Sequence, residues 1–175
     1  MKLRHLFFAC SGVFVMMFSL LLLVVIVFSD EEDGGSGGNL IYGGVNVSQE
    51  VLAHKPMLEK YAREYGIEEY LNVLLAIIQV ESGGTLEDVM QSSESLGLPP
   101  NSLSTEESIK QGCKYFSELL AAAETKGCDL NSVIQSYNYG GGFLDYVAGR
   151  GKKYTFELAE SFARDKSGGK KVTYT

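Results

Sequence analysis

The sequence has few of the residues that bind metals or form cross-links, with only two His and three Cys in 175 residues. No Cys or His cluster has metal-ligand spacing, so we expect no metal and no cofactor. His54 stands alone and is expected to be a surface residue. A helix from Cys113 to about Thr125 would place Cys128 roughly 18 Å away along its axis, whereas a disulfide needs Cα atoms within about 7 Å. We therefore expect two buried free thiols.

Basic residues are scarce beyond the N-terminus. Lys2 and Arg4 belong to the 15 Lys and Arg, and the other 13 lie after Phe28 together with all 22 Asp and Glu. The net charge of that portion is −9. Phosphate binding needs a basic surface, so this balance excludes nucleic acid as the partner.

Charge is absent from Leu6–Phe28, a run of 23 residues. As a helix it would span roughly 35 Å, enough for a bilayer core of about 30 Å. Secretory signals have shorter apolar regions and a small-residue cleavage site, which this run lacks, so we expect a retained anchor over residues 1–29. Lys2 and Arg4 before the span, and the acidic run Asp30–Asp33 after it, predict a cytoplasmic N-terminus and an extracellular remainder.

A tether and one domain follow the predicted anchor. Residues 30–44 join the acidic run to the Gly/Ser stretch Gly34–Gly38, which is typical of a flexible linker with a reach of roughly 20 Å. Residues 45–175 show helical periodicity nearly throughout, without alternating strand-like runs. We therefore expect an all-α domain.

Capping residues, proline and glycine predict the helix limits. The predicted elements are a short turn capped by Ser48, then helices from Pro56 to Tyr65, over Glu68–Val80, from Thr105 to about Thr125, from Asp129 through Ser136, over Phe143–Ala148 and over Thr155–Lys166. Of these, Glu68–Val80 is apolar nearly all round, which predicts the buried central helix.

Glu81 closes this apolar helix. A carboxylate at a helix C-terminus faces the negative end of the helix dipole, and burial against Ile77, Ile78 and Val80 also disfavours its charge. Both effects raise the pKa of Glu81, as a general acid working near neutral pH requires. The alternative is a solvated glutamate at a helix end.

Two further segments carry hydrogen-bonding groups. Met90–Ser95 is a short loop of polar side chains, and Gln135–Gly142 places aromatic and amide groups beside three glycines. Sugar sites favour that second mixture, because flat rings cover pyranose faces and amides bind hydroxyl and acetamido groups. The alternatives are a plain loop and a turn-rich helix junction.

In chain order, Val80–Gly84, Val89–Ser95 and Gln135–Gly142 resemble the three signature blocks of the bacterial lysozyme-like superfamily. Those blocks are a Glu-Ser pair, a Met-Gln pair and an aromatic-Asn-x-Gly run, and the superfamily includes goose-type lysozymes and soluble lytic transglycosylases. The CwlT-like branch of Gram-positive bacteria is the most similar. The resemblance covers about Val47–Thr173.

The resemblance implies a function for each matching residue. Glu81 matches the general acid that protonates the glycosidic oxygen between N-acetylmuramic acid and N-acetylglucosamine in peptidoglycan. The residues expected to contact the glycan are Ser82, Gln91, Ser93, Tyr137, Asn138 and Tyr139. We therefore expect a membrane-anchored muramidase whose partners are peptidoglycan glycan strands and, through the anchor, the cell membrane.

One departure from the family leaves the reaction open. Goose-type enzymes place an Asp shortly after the Met-Gln pair, where this chain has Ser92 and Ser93. The second carboxylate is then expected to be Glu94, with Asp88 or Glu87 less favoured, and a surface position is the alternative for each. Without a second carboxylate the 6-hydroxyl of the sugar would attack, as in a lytic transglycosylase. A non-catalytic peptidoglycan-binding protein on the same fold is the third interpretation.

Overall fold

The computed structural model describes residues 39–42 and 45–167. They fall into two compact units that divide after Lys114. The predicted anchor Leu6–Phe28 lies outside the described residues. Within the described ranges, no helix combines the length and the hydropathy needed to cross a membrane.

The first unit begins with two short antiparallel strands, β1 (Asn39–Tyr42) and β2 (Val45–Ser48). Asn39 pairs with Ser48, and Tyr42 pairs with Val45. The described residues are mostly helical, as predicted, and this strand pair is a departure from the predicted all-α class. Strand β1 lies within the predicted linker, residues 30–44, whose bounds stay a prediction. Each strand has only four residues, which is too short for a clear alternation of apolar and polar side chains.

Three helices follow the strands: α1 (Gln49–Ala53), α2 (Lys55–Glu64) and α3 (Leu71–Glu81). The predicted cap is confirmed, because the Ser48 side chain accepts a hydrogen bond from the Val51 amide. Pro56 lies in the first turn of α2, and Gly66, with φ of +67°, follows its end. The predicted helical start at Glu68 was wrong, since Glu68–Tyr70 forms a separate 3₁₀ turn before α3.

Helix α3 is the buried element of the first unit. All six residues of Val73–Ile78 are buried, and the helix contacts β2, α1 and α2. The predicted central helix is confirmed in this respect. Because α3 packs against several elements, its last residue, Glu81, stands on a rigid support.

A long connection leads from α3 to α4 (Thr105–Lys126), with a 3₁₀ turn over Ser92–Leu96. Glu107 accepts hydrogen bonds from both the backbone N–H and the hydroxyl of Ser104, and the predicted helix start at Thr105 is confirmed. Helix α4 runs through the division at Lys114. In the first unit, Cys113 is a buried free thiol, as expected.

Up to residue 167, the second unit contains the end of α4 and three further helices: α5 (Leu130–Tyr139), α6 (Gly142–Ala148) and α7 (Phe156–Lys166). Asp129 caps α5 as predicted, although α5 extends beyond Ser136. Thr155, predicted as the first residue of the last helix, is the cap that precedes α7. Phe143, Val147, Ala159 and Phe162 form the core.

Cys128 packs against this core and is a free thiol. It is half-buried rather than buried, so the expectation of two buried free thiols was wrong in this respect. Its Sγ donates to the Leu144 carbonyl oxygen, 3.7 Å away.

Candidate active site

Glu81 is the last residue of α3 and is half-buried. Burial, together with the smaller effect of the negative charges of Glu94 and Asp88, raises the pKa of its carboxyl group from 4.5 to about 8. The predicted direction of the pKa shift is confirmed. Its causes are burial and two like-charged neighbours, and Glu81 is therefore protonated near neutral pH.

Ser82 ties the turn after Glu81 to the following loop. Its hydroxyl donates to the Val89 carbonyl oxygen at 2.8 Å and accepts from the Gly84 amide at 3.0 Å. Since a serine hydroxyl has one hydrogen to donate, that hydrogen is already used within the chain. The predicted contact of Ser82 with a glycan stays a prediction.

Two glycines shape this turn, with φ of +60° at Gly83 and +78° at Gly84. At Gly84 the backbone also approaches α1 closely: a Cβ atom there would lie 2.7 Å from the carbonyl carbon of Glu50 and 2.7 Å from the Val51 nitrogen. Only glycine therefore fits at position 84 without a shift of the backbone.

Three hydrogen bonds join the end of α3 and the turn to the segment Ser48–His54. The Ser48 amide donates to Gln79 Oε1 at 2.7 Å, and the Ser48 hydroxyl donates to the Gly83 carbonyl oxygen at 3.3 Å. His54 Nε2 lies 2.9 Å from the Gly84 carbonyl oxygen, to which it donates. The segment thus holds the turn next to Glu81 from one side.

Asp88 organises the polar loop from the other side. It is fully buried and accepts hydrogen bonds from the Ser92 amide (2.9 Å), the Ser93 amide (3.2 Å) and the Ser108 hydroxyl (2.6 Å). The Ser108 hydroxyl in turn accepts from the Met90 amide at 3.0 Å. These donors keep a buried carboxylate in place, and its charge acts on Glu81.

Gln91 adopts a left-handed backbone conformation, with φ of 46° and ψ of 37°. Its Nε2 donates to the Asp88 carbonyl oxygen and to Asn101 Oδ1, each at 2.8 Å. Both amide hydrogens are therefore used within the chain, and only Oε1 can meet a ligand, as an acceptor.

Ser93 and Glu94 lie on the 3₁₀ turn Ser92–Leu96. Ser93 is fully buried, and its hydroxyl has no hydrogen-bond partner in the part of the chain that the structure describes. A buried hydroxyl in this state favours a bound water or ligand. Glu94 is exposed and acts on Glu81 through its charge.

The remaining predicted residues lie on α5, in the second unit. The ring of Tyr137 is buried, with its centroid 5.5 Å from that of Tyr115. Tyr139 stacks on Phe162 at a centroid distance of 5.7 Å, and Asn138 is half-buried. Both rings thus pack within their own unit, and contacts of the three residues with a glycan stay predictions.

A model of the lysozyme-like family matches residues 48–175 of this chain. The chain belongs to the lysozyme-like family. The match begins at the Ser48 cap of α1 and includes every site residue described above. Over residues 39–42 and 45–167, this lysozyme-like chain holds no group of three His, Cys, Asp or Glu side chains that could bind a metal ion.

Curated relatives cover most of the described part of this lysozyme-like chain. It is 44% identical over 124 residues to the bifunctional muramidase/DL-endopeptidase CwlT of Bacillus subtilis, covering 70% of this chain and 37% of that protein. It is 39% identical over 117 residues to a pneumococcal vaccine antigen A homolog of Streptococcus pyogenes, covering 66% and 59%. The chain thus spans between about a third and three fifths of the length of these relatives.

A solved structure supports the same fold. This lysozyme-like chain is similar to a Staphylococcus aureus protein described as similar to a lipoprotein of the NLP/P60 family. The sequence identity is 74% and the TM-score is 0.72, over 73% of this chain and 43% of the other.

Sequence reasoning missed two contributors to the site of this lysozyme-like chain. His54, expected to be an isolated surface residue, is half-buried and bonded to Gly84, 30 positions away. Ser108 on α4 supports Asp88, 20 positions away. No local pattern links residues at such separations, so periodicity and capping signals could not have found them.

Proposed function

We propose that the chain is a peptidoglycan muramidase in which Glu81 is the general acid. The observation that carries this proposal is a half-buried carboxyl group with its pKa raised to about 8 at the end of a packed helix. Such a group holds a proton at neutral pH and can deliver it to a leaving-group oxygen. The names of the relatives add support, since one of them is a muramidase.

In this proposal Glu81 protonates the glycosidic oxygen as the bond from that oxygen to the anomeric carbon breaks. A water then attacks the anomeric carbon from the polar loop Ser92–Ser95. Polar groups of this loop are suited to hold that water, and the exposed Glu94 is the candidate to take its proton. Gln91 contributes an acceptor for a sugar hydroxyl or acetamido N–H through Oε1.

The test is the Glu81→Gln variant, assayed by the release of soluble muropeptides from purified cell wall. Glutamine preserves the size of the side chain but has no proton to donate, so we expect activity to fall by at least about a hundredfold. Wild-type activity should decline above about pH 8, where Glu81 loses its proton. The same change at an exposed position, Glu69→Gln, should leave activity unchanged. Release by the Glu81→Gln variant at the parent rate would disprove the assignment.

Mass spectrometry of the products separates hydrolysis from its alternatives. Reducing ends mean that water attacked, as we propose, and 1,6-anhydro ends mean that the sugar's own 6-hydroxyl attacked, as in a lytic transglycosylase. Glycan binding without any product, unaffected by Glu81→Gln, would identify a non-catalytic wall-binding protein.

We also propose that Leu6–Phe28 anchors the enzyme in the cell membrane, with its catalytic part on the wall side. The support is the uncharged run itself and the charges on either side of it. A Bacillus subtilis relative, 39% identical over 118 residues, carries the name uncharacterized membrane protein YocA.

A further inference from the structure

We propose that His54 is a positioning residue for Glu81: by donating its Nε2–H to the Gly84 carbonyl oxygen, it fixes the turn that ends the helix carrying the acid. This inference rests on the proposed function of Glu81. It assigns a catalytic consequence to a histidine that does not touch the reacting atoms.

The turn after Glu81 has hydrogen bonds of its own: the Gly84 amide donates to the Ser82 hydroxyl at 3.0 Å, and the Thr85 amide donates to the Ser82 carbonyl oxygen at 3.2 Å. Ser82, Gly83 and Gly84 leave the helix with φ of −145°, +60° and +78°. Two consecutive glycines have wide conformational freedom, so contacts with other elements add to these bonds in fixing the conformation of the turn. The segment Ser82–Gly84 directly follows Glu81. If its backbone moves, the last helical turn of α3, which carries Glu81, moves as well.

The support behind the turn is the segment Ser48–His54. Gly84 lies so close to α1 that a Cβ atom would meet the Glu50 and Val51 backbone at 2.7 Å. Ser48 reaches Gln79 Oε1 through its amide and the Gly83 carbonyl oxygen through its hydroxyl. The segment therefore contacts the turn at both Gly83 and Gly84. Among the described residues, the Gly84 carbonyl oxygen accepts a hydrogen bond from the His54 side chain alone.

His54 is suited to this task by its own position. It ends α1 and begins α2, so its backbone is fixed by two helices. Its 2.9 Å bond to Gly84 requires a hydrogen on Nε2, which both the neutral Nε2–H tautomer and the imidazolium supply. The hydrogen bond from His54 to Gly84 is therefore compatible with both the neutral and the charged ring.

Loss of this bond should loosen the turn and let water reach Glu81. Misplacement of a catalytic group by about 1 Å can cost a hundredfold in rate. For His54→Ala we expect kcat to fall about tenfold or more with KM nearly unchanged, because sugar-binding groups are not altered. The alkaline limb of the pH–rate profile should move to lower pH, since Glu81 would lose part of the burial that raises its pKa, while Glu94 and Asp88 continue to act on it.

The experiment uses the full chain and two further variants. His54→Gln retains an N–H donor of similar reach and should restore much of the rate and the position of the alkaline limb. Glu59→Ala is the matched control, because it removes the surface ion pair of Glu59 with Lys55 on α2 without touching Gly84, and both properties should match wild type. Thermal unfolding of each variant shows that the assays are made on folded protein.

A direct titration of Glu81 separates this proposal from the proposed function. Carboxyl-¹³C-labelled glutamate, followed by NMR, reports the pKa of Glu81 whether or not the chain cleaves peptidoglycan. If wild type releases no muropeptides, the proposed function fails, and a lower pKa of Glu81 in His54→Ala still supports the positioning contact. An unchanged pKa of Glu81 in folded His54→Ala, or an unchanged kcat in an active enzyme, would overturn the proposal.

Discussion

The Glu81→Gln variant tests the raised pKa of Glu81 without any substrate, because that pKa makes the free energy of unfolding depend on pH. The folded chain keeps the proton on Glu81 up to about pH 8, whereas an unfolded chain releases it near pH 4.5. Between these values the folded state binds more protons than the unfolded state. Rising pH therefore lowers the free energy of unfolding of the wild type in this window.

The size of the effect follows from the two pKa values. Each pKa unit corresponds to about 1.4 kcal/mol. Between pH 4.5 and about 8 the wild type should thus lose up to about 5 kcal/mol of stability through Glu81. This is an upper limit, because local rearrangement can hydrate the charged carboxylate. The Glu81→Gln variant has no such proton, so its advantage over wild type should grow through the window and become constant above it.

The assay is urea unfolding followed by far-UV circular dichroism at pH values from 4.5 to 9. The difference in unfolding free energy between Glu81→Gln and wild type is plotted against pH. The exposed Glu69→Gln variant is the control and should show a nearly constant difference. A constant difference for Glu81→Gln as well would refute the reasoning, because it would mean that Glu81 titrates alike in the folded and unfolded chains.

Two other predictions concern the turn and the anchor. Gly84→Ala should lower the free energy of unfolding by about 3 kcal/mol or more and should lower activity, because the added methyl group overlaps the Glu50 backbone. Gly83→Ala should lower the free energy of unfolding by only about 1 kcal/mol, since the nearest atom to its methyl group would be the end of the Gln79 side chain at 3.9 Å. Equal losses of unfolding free energy in the two variants would contradict the close approach at Gly84. Replacing Met1–Phe28 by a cleavable secretory signal should release the chain into the medium, measured by immunoblot of cell fractions. Tight wall retention of the shortened chain would argue that the anchor is not what holds it.

Local signals in the sequence predicted most helix limits. Ser48, Asp129 and Thr155 are caps because a side-chain oxygen close to the helix start can satisfy a free amide, and that requirement involves only neighbouring residues. The 3₁₀ turn at Glu68–Tyr70 escaped prediction, since its residues suit a helix equally well. The pairing of β1 with β2 was missed, although the Gly43-Gly44 pair between them is a hairpin signal.

The properties of the candidate site could be predicted only where they depend on residues close to Glu81 in sequence. The position of Glu81 at the end of an apolar helix sufficed to predict the direction of its pKa shift. The effect of the Asp88 charge on the pKa of Glu81 could not be predicted from the sequence. Asp88 is fully buried and bonded to Ser108, and that contact forms only in the tertiary fold. The bond from His54 to Gly84 also depends on packing between elements distant in sequence.

The burial of the Cys113 thiol has a consequence for its reactivity with oxidants. Burial raises its pKa to about 12, so at pH 7 only about one molecule in 10⁵ carries the thiolate that reacts with oxidants and disulfides. Because Cys113 and Cys128 are both free, the described structure contains no cross-link that an oxidising compartment would have to supply. Cys113 should therefore react only slowly with oxidants, and the fold of the described residues does not depend on a disulfide.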